Sequence, residues 1–183
     1  PNGGTSLGDA YVQSCVLELY DPHYSSDVQL ANRIVPLETE LTIPLAHLLD
    51  SKYFKEKDVA TLGLLYPDEV NGAKGLFMLE PYDPKRIPVV MVHGLWSSPT
   101  TWMEMFNDLR YWREIRERYQ FWFYLYPTGQ PFWESAAQLR ETLAEARQTL
   151  DPQRQNPYMQ EMVLVGHSMG GLLSRLQTVD SQD

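Results

Sequence analysis

The sequence predicts an α/β fold with a doubly wound, mostly parallel sheet, and three observations carry that prediction. Pro88-Val89-Val90-Met91-Val92 is almost wholly apolar, the character of a central parallel strand buried on both faces. From that point strand-like and helix-like stretches alternate to the end of the chain, which implies parallel strands joined by crossover helices. The last strand, 162–165, breaks at Gly166-His167-Ser168-Met169-Gly170 and resumes with helical spacing at Leu172, Leu173, Leu176 and Val179.

Taken in order, residues 1–8 are Gly- and Ser-rich and read as a frayed lead-in. Residues 12–20 alternate loosely and predict a strand closed by Asp21-Pro22; residues 28–35 predict a second. A short helix over 42–49 contains Pro44 in its first turn, and another is expected over 58–65, stopped at Pro67. Asn71-Gly72 signals a turn into a strand over 75–80. We therefore expect two regions: 1–74, strands and short helices leading into the fold, and 75–183, its core.

Within that core, Ser98 is placed to cap a helix with Pro99 at its first position. Trp102, Met105, Phe106 and Leu109 give the helix one apolar face. Residues 113–118 are rich in charge and read as a solvated surface. Residues 121–126 form the next strand, aromatic and stopped by Pro127. Phe132, Ala136, Leu139, Leu143, Ala146 and Leu150 recur in steps of four and three, a second amphipathic helix that ends at Asp151-Pro152. A polar loop leads from there to the last strand.

Composition narrows the function. The 183 residues suffice for one ordinary domain with a real core. A net charge of −9, with no Lys/Arg-rich run, argues against a nucleic-acid partner. No stretch approaches the ~20 apolar residues that span a bilayer, so no transmembrane segment is expected. The lone Cys15 forms no internal disulfide. Metal-ligand spacings, phosphate-binding glycine loops and dinucleotide fingerprints are absent from the sequence, and neither metal nor cofactor is predicted.

The chemistry concentrates at G-x-S-x-G. In so tight a strand-to-helix turn the flanking residues must be small, and the residue at the tip is held strained with its side chain outward. A Ser there also stands at a helix N-terminus, where N–H groups and the dipole favour negative charge. Ser168 is thus the candidate nucleophile. Gly-His-Ser-Met-Gly-Gly after a strand, with Val92-His93-Gly94-Leu95-Trp96 upstream, resembles the α/β-hydrolase superfamily in its serine esterase and lipase branch. The resemblance is good over residues 75–180 and loose before them.

That resemblance implies an α/β-hydrolase-type sheet and cleavage of small-molecule or lipid esters through an acyl-enzyme on Ser168. The oxyanion hole would combine the backbone N–H of Met169 with that of Leu95, Trp96 being the fallback. Trp96 and Thr128, on loops at strand ends, are the candidates for contact with substrate. In this fold the triad acid and His follow the Ser, yet the sequence stops at Asp183, fifteen residues beyond it. It reads as the N-terminal part of a larger enzyme, truncated after the nucleophile helix, with the missing segment or self-association covering the exposed edge. His93 precedes the Ser, so on chain order it shapes its turn; His167 is a turn residue. Asp180 and Asp183 stand at the far end of the last helix, away from the site. An acyltransferase of the same fold, or a binding module on a hydrolase scaffold, would share all of these features.

Overall fold

The computed structural model describes residues 17–21, 25–38, 40–49, 64–65 and 74–179. The expected helix over 58–65 and turn at 71–72, like Asp180 and Asp183, lie almost wholly outside them. The backbone divides into two compact units, 1–39 and 40–183.

In the first unit, β1 (Asp27–Leu30) and β2 (Arg33–Pro36) form an antiparallel hairpin. The single strand expected over 28–35 is therefore two strands, reversed at Ala31-Asn32, with Ala31 at φ 51°. Residues 17–20, the described end of the predicted first strand, have no regular structure.

The second unit is built on a four-stranded sheet in the order β3-β5-β4-β6. Its strands are β3 (Gly75–Met78), β4 (Ile87–Val92), β5 (Tyr119–Leu125) and β6 (Val163–Gly166). β4 runs parallel to both β5 and β6, while β3 pairs antiparallel with β5. From β4 the chain moves sideways to β5, then returns past β4 to β6. With right-handed crossovers that reversal puts the two connections on opposite faces of the sheet.

The side chains record the two faces. Val90, Val92, Trp122, Tyr124 and Tyr126 point to one, where they pack with Ala136 and Leu139 of α4 (Phe132–Leu150) and Leu173 of α6 (Met169–Leu176). Met91 and Phe123 point to the other, against Trp102, against Met103 and Phe106 of α2 (Met103–Tyr111), and against Leu45 of α1 (Thr42–Leu49). Alternation along β4 and β5 thus feeds two cores, and every residue of β4 is buried.

Several local expectations are corrected by this packing. The stretch after Ser98 begins as a 3₁₀ turn, Pro99–Trp102, before α2, and the rotation buries Met103 and leaves Met105 outside. The charged run 113–118 is a helix, α3 (Arg113–Arg118), and one of its arginines is buried. Arg116 Nη1 donates to the carbonyls of Arg110 (2.7 Å) and Tyr111 (3.2 Å), which the end of α2 leaves without helical partners. The loop before β6 contains a short helix, α5 (Pro157–Gln160), capped by the Asn156 side chain on Tyr158 N–H. Buried Asp151 orders that loop by accepting from the N–H groups of Gln155 and Asn156. Finally, α6 ends at Leu176, so Val179 lies beyond it.

Candidate active site

β4 and β6 are neighbours whose following connections leave toward opposite faces, and a crevice opens at the carboxyl ends of such strands. Ser168 stands there, between the last residue of β6 and the first of α6. Its backbone is at φ 53°, ψ −121°, a region that non-glycine residues avoid and that costs about 1–3 kcal/mol unless the surroundings impose it.

The surroundings do impose it. A Cβ on Gly166 would lie 2.4 Å from the Gly170 carbonyl oxygen, and one on Gly170 would lie 2.1 Å from that of Val92. Only glycine lets β6 turn so closely into α6 and lets α6 lie on β4. The turn is also hydrogen-bonded into place. His167 N–H donates to Val92 O (3.0 Å), Gly170 N–H to His167 O (2.9 Å) and Gly171 N–H to Ser168 O (2.9 Å). The Met169 N–H opens the first turn of α6, where helices leave donors without internal partners. Ser168 itself is exposed, and no hydrogen bond among the described residues joins its hydroxyl to an imidazole.

The second wall is the turn after β4. A Cβ on Gly94 would come within 3.1 Å of Ser168 Cβ, so this turn passes directly against the elbow. Leu95 follows, 55% exposed, and no described residue accepts its N–H. Trp96, 64% exposed, takes a left-handed conformation at φ 51°. Its N–H, the fallback donor in the sequence reading, points instead to Thr128 Oγ1 at 3.3 Å. Thr128 is buried, so its hydroxyl lies behind the loop.

His93 shapes this turn. It is fully buried, its ring stacked on Tyr126 with centroids 4.4 Å apart. Nδ1 lies 3.0 Å from the Gly94 carbonyl, a contact that requires an N–H on that nitrogen. Nε2 is buried with no partner among the described residues. Burial disfavours the charged ring and lowers its pKa to about 4. The Tyr126 hydroxyl donates to His93 O at 2.7 Å, and burial raises its own pKa well above the usual phenol value. His167, beside the Ser, is exposed and meets the edge of buried Trp102.

The sequence reading named Ser168, Met169, Leu95, Trp96 and Thr128; four of them lie on the three loops that follow β4, β5 and β6, and Met169 opens α6. It missed Tyr126 as a contact of the β4 turn. No group of His, Cys, Asp or Glu among the described residues could hold a metal ion. No helix among them is long and apolar enough to cross a membrane. Residues 89–180 match the sequence model of the alpha/beta hydrolase family, from the middle of β4 to just past α6. Neither a search of curated proteins nor one of solved structures finds a match.

Proposed function

The chain belongs to the α/β-hydrolase family, and from that premise we propose that it carries the nucleophile of a carboxylic ester hydrolase. Ser168 Oγ attacks the ester carbonyl carbon, and the carbonyl oxygen becomes an oxyanion held by the N–H groups of Leu95 and Met169. Collapse of that intermediate expels the alcohol and leaves an acyl-Ser168 ester, which water then cleaves. A general base takes the Ser proton and an acid orients that base; no hydrogen bond among the described residues joins such a base to Ser168. Trp96, exposed on the β4 turn, forms the wall that the substrate meets first.

The observation that carries this reading is the backbone of Ser168. A left-handed Ser at the N-terminus of a helix, locked by two glycines that tolerate no side chain, presents a hydroxyl where negative charge is favoured. Had the Ser been incidental to a glycine-rich turn, it would have no reason to hold this conformation.

The test is reaction with a serine-directed fluorophosphonate followed by peptide mass spectrometry. A single adduct is expected on Ser168, and none in Ser168→Ala at an unchanged unfolding midpoint. An adduct on another residue, or equal labelling of the variant, overturns the assignment. Hydrolysis of short activated esters, with and without an added alcohol acceptor, separates a hydrolase from an acyltransferase.

A further inference from the structure

We propose that the end of β5 acts as a two-point clamp that positions the oxyanion loop, with Thr128 as the positioning residue at its outer point. The inference rests on Ser168 being the nucleophile and adds to it residues that never touch the substrate. The loop leaves β4 at His93 and turns at Trp96. Its first point is held by the Tyr126 hydroxyl, which donates to His93 O at 2.7 Å. Its second is held by Thr128 Oγ1, which accepts the Trp96 N–H at 3.3 Å. Both anchors are buried, at 1% and 3% exposure, so neither bond competes freely with water.

Between the two anchored residues lie Gly94 and Leu95. Gly94 passes against Ser168, and the Leu95 N–H is the donor proposed for the oxyanion. The clamp therefore sets where that donor stands relative to the attacking oxygen. Trp96 shows that the loop would not rest there by itself, because an aromatic residue at φ 51° stays in that region only when its surroundings hold it. Directing the Trp96 N–H backward to Thr128 also decides which of two successive N–H groups faces the crevice. It leaves that of Leu95. A donor misplaced by ~1 Å can cost ~10²-fold in rate, so a support this local has a kinetic signature.

Thr128→Val keeps the shape and removes the acceptor, Thr128→Ser keeps the acceptor, and Tyr126→Phe keeps the ring stack and removes the inner donor. Each is followed in two ways on the whole chain: phosphonate labelling of Ser168 over a range of reagent concentrations, and hydrogen exchange of the Trp96 amide by NMR. Thr128→Val should lower the maximal labelling rate by roughly 10- to 100-fold, leaving the half-saturating concentration within about twofold. It should also speed exchange of the Trp96 amide, while Thr128→Ser restores both. Tyr126→Phe should slow labelling as well, with Trp96 exchange changed less. Unchanged labelling in Thr128→Val, equal slowing in Thr128→Ser, or an unprotected Trp96 amide in the wild type overturns the clamp. If wild type takes no phosphonate on Ser168 although Trp96 is protected through Thr128, the nucleophile reading fails instead.

Discussion

Two turns meet at this site, and they are held by opposite means. The turn after β6 and the turn after β4 each place a non-glycine residue in the left-handed region, Ser168 at φ 53° and Trp96 at φ 51°. In the first, the constraint is steric and local. Gly166 and Gly170 bring backbone against backbone at distances that admit no Cβ, and the turn's hydrogen bonds run within itself or to Val92. In the second, the constraint comes from side chains just past β5, some thirty residues away, through Tyr126 and Thr128. A steric lock fixes the proposed nucleophile; hydrogen bonds fix the loop that carries the proposed donor. The first should fail by unfolding and the second by losing rate, so substitutions can separate them.

The largest effect is expected at Ser168, the proposed nucleophile. Ser168→Ala should lower ester hydrolysis by about 10⁴-fold or more, as removal of an acting triad Ser does, without loss of fold. Initial rates on a short activated ester, read beside the unfolding midpoint, check it. Near-normal turnover by the folded variant would leave the left-handed Ser unexplained.

Next comes the lock. Gly170→Val would push a Cβ to 2.1 Å from Val92 O and 2.5 Å from His93 O, both backbone atoms of a fully buried strand and its end. The expected cost is at least about 3 kcal/mol, among the largest single-residue effects. The control is one position on. A Cβ on Gly171 would meet only the Gly166 carbonyl, at 3.5 Å, an ordinary contact. Gly171→Ala should therefore stay within about 1 kcal/mol of wild type, helped by the better helix propensity of Ala. Urea unfolding of the pair reads the difference. Equal destabilisation would show that close approach at Gly170 is not what builds the elbow.

This contrast also explains what the sequence made legible. The elbow was readable because its requirements lie in one contiguous stretch, 162–179: an apolar strand, small residues on both sides of the Ser, and helical spacing after it. The central strands were readable for a similar reason, since burial on both faces leaves an unbroken apolar run at 88–92. The clamp was not. Nothing in Tyr126 or Thr128 as letters says that one donates to His93 O and the other accepts from Trp96, because that pairing exists only once β4 and β5 lie side by side. The same holds for Arg116, whose burial depends on where α2 happens to end. Helix faces shifted for a smaller reason. The 3₁₀ turn at 99–102 advances the chain by a different angle per residue, exchanging Met105 for Met103 in the core.

A smaller effect, set by pH, belongs to the buried base of the β4 turn. The pKa of His93 falls from the ordinary 6.5 to about 4 in the folded protein, because burial penalises the charged ring. The unfolded chain then binds the proton more readily. Stability from this residue is fully present above pH 6.5, declines as pH falls through that value, and levels off below about 4. The whole span is on the order of 3 kcal/mol. Comparing urea midpoints at pH 7 and pH 4 for wild type and His93→Asn isolates it, the variant losing less on acidification. An identical loss in both would mean that His93 is already hydrated in the fold.

The smallest effect tests whether the β4 turn is held only from β5. Ser98 occupies the N-cap position of the 3₁₀ turn that follows it, where a Ser ordinarily stabilises by about 1 kcal/mol through a bond to a backbone N–H. Here the side chain makes no such bond. Its Oγ lies 2.7 Å from Thr100 Oγ1, an exposed contact between two hydroxyls that water replaces at little cost. Ser98→Ala should thus change stability by less than about 0.5 kcal/mol, and phosphonate labelling of Ser168 should be unaltered. Removing one hydroxyl at Thr128 is expected to slow labelling strongly, and removing one two residues past Trp96 is expected to do nothing. Only the partner differs, a backbone N–H of the loop in one case and another side chain in the other. If Ser98→Ala slows labelling as much as Thr128→Val does, the loop is stiffened along its own length, and β5 is not its clamp.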